Sequence, residues 1–560
     1  MVMVNYCKHM TKLMEKLNNF LFFTVIIVVV LWQMLLPGFV LTLDMVFAPE
    51  FKILFSEEKF LNALPLLYIL KFLNLFLTGW LLQKVLLVAL FFLLAYLPYK
   101  FLEVPEKYYA RYWASIFYVI NPFVYERFLA GQIAHLFAYA FLPPIIFYAQ
   151  KIFRAFNKKD FLFLVLWLLL INIFSVHFFV ISILLIVSLF VFETATSLSQ
   201  RDLVGVRKKS LSFAGLAGLL LLVCSYWLIP YFISGVNSAL SEIGPDHWRV
   251  YSAAVDARVG TILNIVGLYG YWGERELWAQ TFLWAKDNLF FWLITLSILL
   301  FMVVLGFLRA LRSDRRSLWL AISAFFALVF ATGAASTIFQ SVNIWLYEHI
   351  GFWVGFRDSA KFVAVIALAY AYFGGWGIYA MGERLKLSKR RRKYLLVIFF
   401  ALPLFYAYPM LGGFARQLKT IQYPVSWVEV DRILQNDKED FKVLFLPWHG
   451  YMSFPFSNNL VIANPAKFFF TREVIQADSS DLEGISETLS GAEKEVDQII
   501  RAKSTKEKIL KVFNDSNIKY VVVSNNLDGI DGLDYSFLSL LNTEKVYVAE
   551  DLTIFKVLLR

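Results

Sequence analysis

Long apolar runs, separated by short loops that carry most of the charge, dominate this sequence. Each run has about 15 to 20 residues, roughly the helix length that crosses ~30 Å of hydrocarbon. With 59% hydrophobic residues and a mean hydropathy of +0.62, the composition fits no soluble enzyme. The sequence predicts an α-helical polytopic membrane protein of about 11 transmembrane helices, at residues 20–36, 84–101, 106–120, 132–151, 161–176, 177–192, 210–229, 290–307, 318–335, 362–379 and 394–411.

The distribution of Lys and Arg predicts the orientation. If the N-terminus is cytoplasmic, the loops assigned to the cytoplasm carry 25 Lys and Arg against 7 Asp and Glu, as the positive-inside rule requires. The net charge of +11 therefore reflects topology, and we expect no nucleic-acid partner. No small-residue cleavage site follows the first run, which predicts a retained signal anchor. We expect a multi-pass plasma-membrane protein with a cytoplasmic N-terminus and an extracytoplasmic C-terminal domain.

The apolar stretch 64–79 would disturb this alternation if it crossed the membrane. We expect it to lie along the outer surface, with Lys71 and Lys84 extending towards the lipid head groups. The alternative is a further span. The transmembrane domain is therefore assigned to residues 1–411, with external loops at 37–83 and 231–288.

Beyond residue 411 the composition becomes more polar. Short apolar or alternating runs are typical of strands, and amphipathic runs are typical of helices. Residues 412–560 are predicted to form a small extracytoplasmic α/β domain, with strands at 442–446, 519–523, 546–549 and 552–558 and helices at 484–502 and 505–512. The expected role of this domain is structural or substrate-guiding.

In the first external loop, Asp44 is an acidic residue among apolar neighbours. A carboxyl group in apolar surroundings is expected to have a raised pKa, which suits a general base. The alternative is an ordinary loop acid or a helix N-cap. Asp44 is the candidate catalytic residue.

A basic pair lies in the tract 356–362, which reads Phe-Arg-Asp-Ser-Ala-Lys-Phe. Arg357 and Lys361 are four residues apart, so on a helix they share a face and can bind a phosphate from two sides. The alternative is a pair that snorkels to the membrane interface with Asp358 as its counter-ion.

The tract 121–135 interrupts an apolar stretch with polar and charged residues. Such groups are costly in hydrocarbon unless they face water or a protein cavity. Gln132 and His135 are three residues apart and share a helix face, although His135 also fits a purely structural role. The residues expected to line a cavity and bind substrate are Glu126, Arg127, Gln132 and His135.

Several features in a fixed order identify a resemblance. They are a retained first span, an acid in the first external loop, an Asn-Pro-Phe tract followed by Gly-Gln, a Gly-Leu-Tyr-Gly-Tyr-Trp sequence at 267–272 and the Phe-Arg-x-x-x-Lys-Phe tract. Over roughly residues 15–410 the chain resembles the GT-C superfamily of polytopic membrane glycosyltransferases. Within it, the likeness is to the arabinofuranosyltransferase D type and related bacterial membrane glycosyltransferases.

The resemblance implies transfer of a sugar from a polyprenyl-phosphate-linked donor to a glycan, lipid or protein acceptor of the cell envelope at the outer membrane face. It implies that Asp44 deprotonates the acceptor hydroxyl and that Arg357 and Lys361 stabilise charge on the leaving lipid phosphate. It also implies that the loop 231–288 caps the cavity. Its substrate-binding candidates are His247, Arg249, Tyr271 and Trp272.

The chain also departs from the resemblance. The first external loop has no Asp-x-Asp or Glu-x-Asp pair, so no metal ligands are assigned, a divalent metal is not expected and no other cofactor is indicated. Arabinose as the donor sugar does not follow. Two alternatives remain: a non-catalytic membrane scaffold that displays the external domain, which would not need an ionisable Asp44, and a lipid or solute transporter, which would place charges near the bilayer midplane.

Overall fold

The computed structural model describes residues 18–53, 58–233, 244–275, 285–384, 389–458, 460–477, 491–501, 504–525, 527 and 536–558. In these ranges seven helices are long and apolar enough to cross a membrane, and a pair bent by 68°, Tyr394–Tyr406 and Tyr408–Ala415, would be an eighth. The helical polytopic class is confirmed, whereas the count of 11 is not. The seven helices are Asn18–Leu35, Gly79–Phe101, Ile133–Arg154, Val176–Ser199, Leu203–Ile233, Leu289–Leu311 and Ser359–Arg384.

Three of the predicted spans form shorter helices. Ala110–Val119 has 10 residues, Arg316–Ala331 has 16 and Lys158–Phe174 has 17. At 1.5 Å per residue, the first covers only about 15 Å. It ends at Ile120, because Asn121 and Pro122 start a new helix, Pro122–Leu129.

The stretch 64–79 forms the helix Leu64–Asn74, and its 11 residues cover only about 17 Å. Lys71 is exposed. The expectation that Lys84 reaches the lipid head groups is wrong, because its side chain is buried in the helix Gly79–Phe101. The neighbouring Gln83 is also buried and exchanges hydrogen bonds of 2.9 and 2.6 Å with the backbone of Val40.

The helix Ser359–Arg384 lies at the centre of the bundle and packs against Leu289–Leu311 and Ala110–Val119. Glycines allow the close approach. A Cβ atom at Gly306 would lie 1.7 Å from the carbonyl oxygen of Phe373, and one at Gly377 would lie 2.2 Å from that of Met302. Such contacts let the two helix backbones touch.

The C-terminal part contains seven strands: β1 Lys442–Leu446, β2 Tyr451–Ser453, β3 Val461–Ala463, β4 Val474–Ile475, β5 Ile518–Ser524, β6 Thr543–Val548 and β7 Leu552–Val557 in the described ranges. Five of them form a sheet in the order β4-β1-β5-β7-β6. Strands β4, β1 and β5 are parallel, and β7 is antiparallel to both β5 and β6. The other two, β2 and β3, form a separate antiparallel hairpin. The small α/β fold is confirmed, and each predicted strand begins and ends within three residues of an observed one.

Helices pack against the sheet. The predicted helix 505–512 is observed as Lys506–Asp515, and the described part of 484–502 is the helix Gly491–Arg501. Further α-helices are Ile133–Ala140 and Leu142–Arg154, which together make up Ile133–Arg154, and Pro245–Val250, Gly260–Val266, Gln340–His349, Lys389–Tyr406, Leu411–Ala415, Val425–Asn436 and Ala466–Phe469.

The first external loop is held between the two parts of the protein. Phe39 and Ile421 exchange backbone hydrogen bonds of 2.8 Å, and Leu43 pairs with Ile462 of β3 in parallel register. Phe39 and Leu41 are buried in the apolar core of the C-terminal sheet. The loop is therefore a shared element of both parts.

We expect Gly306→Ala to lower the stability of the protein, because overpacking a close contact costs about 1–3 kcal/mol. Gly218→Ala is the matched control, since Gly218 is also helical and its Cβ would meet nothing within 4 Å. Thermal unfolding in detergent measures both. A Gly306→Ala midpoint equal to that of the control would contradict the packing described here.

Candidate functional site

A single asparagine joins two helices at the start of the site. Asn121 donates hydrogen bonds of 2.9 Å to the carbonyls of Phe117 and Tyr118, at the end of one helix. Its Oδ1 accepts from the backbone N–H of Val124 at 3.1 Å, at the start of the next. With Pro122 at the first helical position, this is a strong helix start. The break aims the helix Pro122–Leu129 into the protein interior.

The helix ends in a close contact with the first external loop. Residues 42–45 form a tight turn, and the N–H of Asp44 donates to the carbonyl of Ala130 at 3.2 Å. Gly131 has φ +76°, and a Cβ there would lie 2.2 Å from the backbone N of Met45. A glycine is therefore required at position 131 for two reasons: its φ is positive, and the turn 42–45 packs directly against it.

The Asp44 carboxylate accepts two side-chain hydrogen bonds. Tyr451 donates to Oδ1 at 2.6 Å, and Gln132 donates to Oδ2 over a longer 3.5 Å. The side chain is accessible to water although protein surrounds it, so it lies within a recess. This burial raises the pKa of Asp44, and the bonds from Tyr451 and Gln132 partly oppose the rise.

A buried ion pair lies behind Gln132. Arg127 binds Asp358 in a bidentate manner at 2.5 and 2.9 Å and donates to Oε1 of Gln132 at 2.6 Å. Its guanidinium also lies 5.0 Å from the ring centroid of Tyr271. Burial alone would raise the pKa of Asp358, but Arg127 and Lys361 hold it well below its usual value. Asp358 is therefore an anion at neutral pH.

Lys361 completes a continuous path from Asp44. Its Nζ lies 3.5 Å from Oδ2 of Asp358, and its side chain is 8% exposed. We call the five residues on this path the polar network: Asp44, Gln132, Arg127, Asp358 and Lys361.

Arg357 and Lys361 do not form the helical pair that the sequence suggested. The backbone of Asp358 is non-helical, and the α-helix begins only at Val363. Arg357 turns aside and stacks its guanidinium 4.5 Å from the ring centroid of Tyr251. The predicted counter-ion role of Asp358 applies to Lys361 but is shared with Arg127.

Glu126 is buried and binds the backbone of the loop 231–288. Its Oε2 accepts the N–H of Tyr271 at 3.2 Å, and Glu274 is its acidic neighbour. Lys286 lies 2.8 Å from Glu274 and 3.1 Å from Asp256. Burial raises the pKa of Glu126, and the nearby Glu274 adds to the rise. Sequence analysis missed this cluster, because Glu274 and Lys286 lie in a loop without helical or strand periodicity.

His135 faces a second histidine. The rings of His135 and His177 are 5.7 Å apart, and Nε2 of His177 lies 2.8 Å from the carbonyl oxygen of Gly355. Nε2 of His135 is buried without a hydrogen-bond partner. His177 therefore connects His135 to the segment that carries Arg357.

The remaining predicted binding residues lie on the loop 231–288. His247 accepts the N–H of Gly244 at 3.3 Å and so caps the helix Pro245–Val250, and Arg249 is exposed on that helix. Trp272 packs edge-on against Tyr251 at 4.9 Å between centroids. Aromatic rings of this loop thus stack on both arginines: Tyr251 on Arg357 and Tyr271 on Arg127.

Sequence analysis did not predict that Tyr451 contacts Asp44. Tyr451 lies 407 positions from Asp44 along the chain, in a domain to which only a structural or substrate-guiding role was assigned. The one available signal is its place in the segment that follows the parallel strand β1, since loops after parallel strands often carry function. Across the described ranges, no three or more His, Cys, Asp or Glu side chains form a metal-binding group.

Comparisons with known proteins show the fold. No protein-family model and no curated protein matches the sequence. The structure of arabinofuranosyltransferase AftD from Mycobacteria matches with a TM-score of 0.63 and 13% identity, over 96% of this chain and 40% of that one. Two structures of a variant of AftD match over 96% of this chain, with TM-scores of 0.58 and 0.54 at 11% and 12% identity. This chain spans about two fifths of the length of AftD and has the same fold over that part.

We expect Gly131→Ala to displace the Asp44 turn and to cost about 1–3 kcal/mol through overpacking. Gly260→Ala is the matched control, because Gly260 also has a positive φ (+71°) but open space around its Cβ. Thermal unfolding and limited proteolysis of the first external loop test the difference. Equal effects of the two substitutions would show that Gly131 serves only its own backbone conformation.

Proposed function

We propose that this multi-pass membrane protein is a GT-C glycosyltransferase that moves a sugar from a polyprenyl-phosphate-linked donor to a cell-envelope glycan, lipid or protein acceptor. The observation that carries the proposal is the polar network. It connects a water-accessible carboxylate, Asp44, to a buried cation, Lys361, through three intervening side chains. An acid and a cation at the two ends of one site suit a reaction that needs a base for the acceptor and a positive charge for the leaving phosphate.

Asp44 is the proposed general base. The acceptor oxygen attacks the anomeric carbon while its proton passes to the Asp44 carboxylate. Oδ2 suits this role better than Oδ1, because Tyr451 occupies Oδ1 with a bond of 2.6 Å whereas the bond from Gln132 to Oδ2 is 3.5 Å. A raised pKa makes the carboxylate a stronger base near neutral pH.

The bond from the anomeric carbon to the phosphate oxygen breaks as the acceptor attacks, and its electron pair stays on the lipid phosphate. Lys361 and Arg357 are the proposed partners of this developing charge. Asp358 holds Lys361 in place, and the ring of Tyr251 holds Arg357. Lys361 keeps hydrogen-bond donors for a phosphate, because an ammonium group has three.

The proposal assigns the substrate-binding role to the groups around this path. Gln132 is partly exposed at Asp44, and His135 is partly exposed near Lys361. Trp272 offers a partly exposed ring face for a sugar, and His247 and Arg249 lie on the capping loop. The ring of Tyr271 is buried beside Arg127, so its proposed part is to back this binding surface. Glu126 and Arg127 support Tyr271 from within. The proposed orientation has a cytoplasmic N-terminus, which places the site at the outer membrane face.

We expect Asp44→Asn to reduce sugar transfer from extracted polyprenyl-phosphate sugars to cell-envelope acceptor by about 10²–10⁴-fold, the usual contribution of a general base. Glu50→Gln is the matched control, because Glu50 is an exposed acid of the same loop. Transfer by purified protein in mixed lipid vesicles is the measurement. Wild-type activity in Asp44→Asn would remove the base from the mechanism, and a wild type inactive with every extracted donor would favour a scaffold or a transporter.

The raised pKa of Asp44 also predicts a pH-dependent stability difference. A folded-state pKa above the unfolded value means that the ionised carboxylate is less favourable in the folded protein, so the stability associated with Asp44 falls as pH rises through the folded pKa. Asp44→Asn should therefore be more stable than wild type at pH 7, and the difference should shrink as the pH is lowered. Thermal unfolding of both proteins from pH 5 to 8 measures it, and an Asn variant that is less stable at pH 7 would contradict the burial of this charge.

A further inference from the structure

The contact between Asp44 and Tyr451 joins the transmembrane part of the protein to its C-terminal part. The hydroxyl of Tyr451 lies 2.6 Å from Oδ1 of Asp44, a normal length for a strong O–H···O⁻ bond. The bond from Gln132 is 3.5 Å, at the limit of hydrogen bonding. Tyr451 therefore makes the stronger of the two side-chain bonds to this carboxylate.

The backbone aligns the two residues before the side chains meet. Leu43 donates to the carbonyl of Val461 at 3.1 Å and accepts from the N–H of Ala463 at 2.9 Å. Ala463 is in turn the antiparallel partner of Tyr451 in the hairpin. The turn that carries Asp44 thus lies on one side of β3, and β2 with Tyr451 lies on the other. Neighbouring strands lie about 4.8 Å apart, so β3 sets the distance that the long side chain of Tyr451 spans to reach Asp44.

We infer that Tyr451 is a positioning residue for the proposed base: the C-terminal hairpin orients the Asp44 carboxylate and keeps it ionised, so the C-terminal domain is part of the active site. The inference rests on the proposed function of Asp44. It goes beyond a display or guiding role for the C-terminal domain, since it makes the base depend on a residue of that domain.

The other groups near Asp44 stabilise its ionised form less than Tyr451 does. Arg127 favours the ionised form, but Asp358 neutralises Arg127 and itself disfavours a second negative charge nearby. Burial raises the pKa of Tyr271, and the nearby Asp44 adds to the rise. The Tyr451 hydroxyl therefore provides most of the hydrogen-bonding support for the ionised carboxylate, and its bond lowers the pKa of Asp44 against the effect of burial.

Tyr451→Phe should lower kcat/KM for transfer about tenfold at pH 6, the loss of one hydrogen bond to a charged group. The acidic limb of the pH profile should move to higher pH, because the base then ionises less readily. The effect should fall on kcat more than on the KM for donor. Tyr423→Phe is the matched control, since Tyr423 donates at 2.9 Å to the carbonyl of Phe47 in the same loop without contacting Asp44.

A double-mutant cycle gives a readout that needs no substrate. The change in thermal unfolding midpoint caused by Tyr451→Phe should differ between the wild-type and Asp44→Asn backgrounds at pH 7, and this difference should shrink at low pH as Asp44 becomes protonated. The same cycle with Tyr423→Phe should be additive at every pH.

The outcomes separate this inference from the proposed function. Coupling in the cycle together with the shifted pH profile supports a positioning role. An additive cycle overturns it, and so does a Tyr451→Phe profile equal to that of wild type while Asp44→Asn is inactive. Wild-type transfer by Asp44→Asn overturns the proposed function itself, and the inference with it, whatever the cycle shows.

Discussion

The bidentate bond between Arg127 and Asp358 is the interaction on which the site depends. It joins the tract that follows Asn121 to the segment before the central helix, with both side chains nearly inaccessible. Burying two charges is costly, and removing one partner of such a pair typically costs about 3–5 kcal/mol. Here each partner has a further polar contact: Arg127 also binds Gln132, and Asp358 also faces Lys361. The pair therefore holds an acid and a cation in fixed positions at opposite ends of one network.

The first external loop is the second constraint. It rests on Gly131 of the transmembrane part and pairs with β3 of the C-terminal hairpin. Neither part alone holds the Asp44 turn from both sides. The proposed base therefore lies on a loop that is packed as part of two cores, which holds it in place.

The sequence predicted what depends on local pattern and missed what depends on distant contacts. Apolar runs indicated the membrane class, alternation indicated the strands, and polar residues in apolar surroundings singled out Asp44, Arg127 and Lys361. The count of 11 spans is not confirmed in the described ranges, since hydropathy cannot show that Asn121 and Pro122 end a helix after only 10 residues. The roles of Tyr451 and Glu274 could not be predicted for another reason. Their partners, Asp44 and Glu126, are distant in the sequence and become neighbours only in the folded protein.

The central claim is that the polar network binds a lipid-linked sugar phosphate between Asp44 and Lys361. A cryo-electron microscopy structure of the full chain in nanodiscs with a polyprenyl phosphate tests it most directly. The account predicts a phosphate within hydrogen-bond distance of Lys361, with the lipid chain leaving between helices towards the outer leaflet and the Asp44 recess open beside it. A phosphate bound elsewhere, with Lys361 still paired only to Asp358, would contradict it.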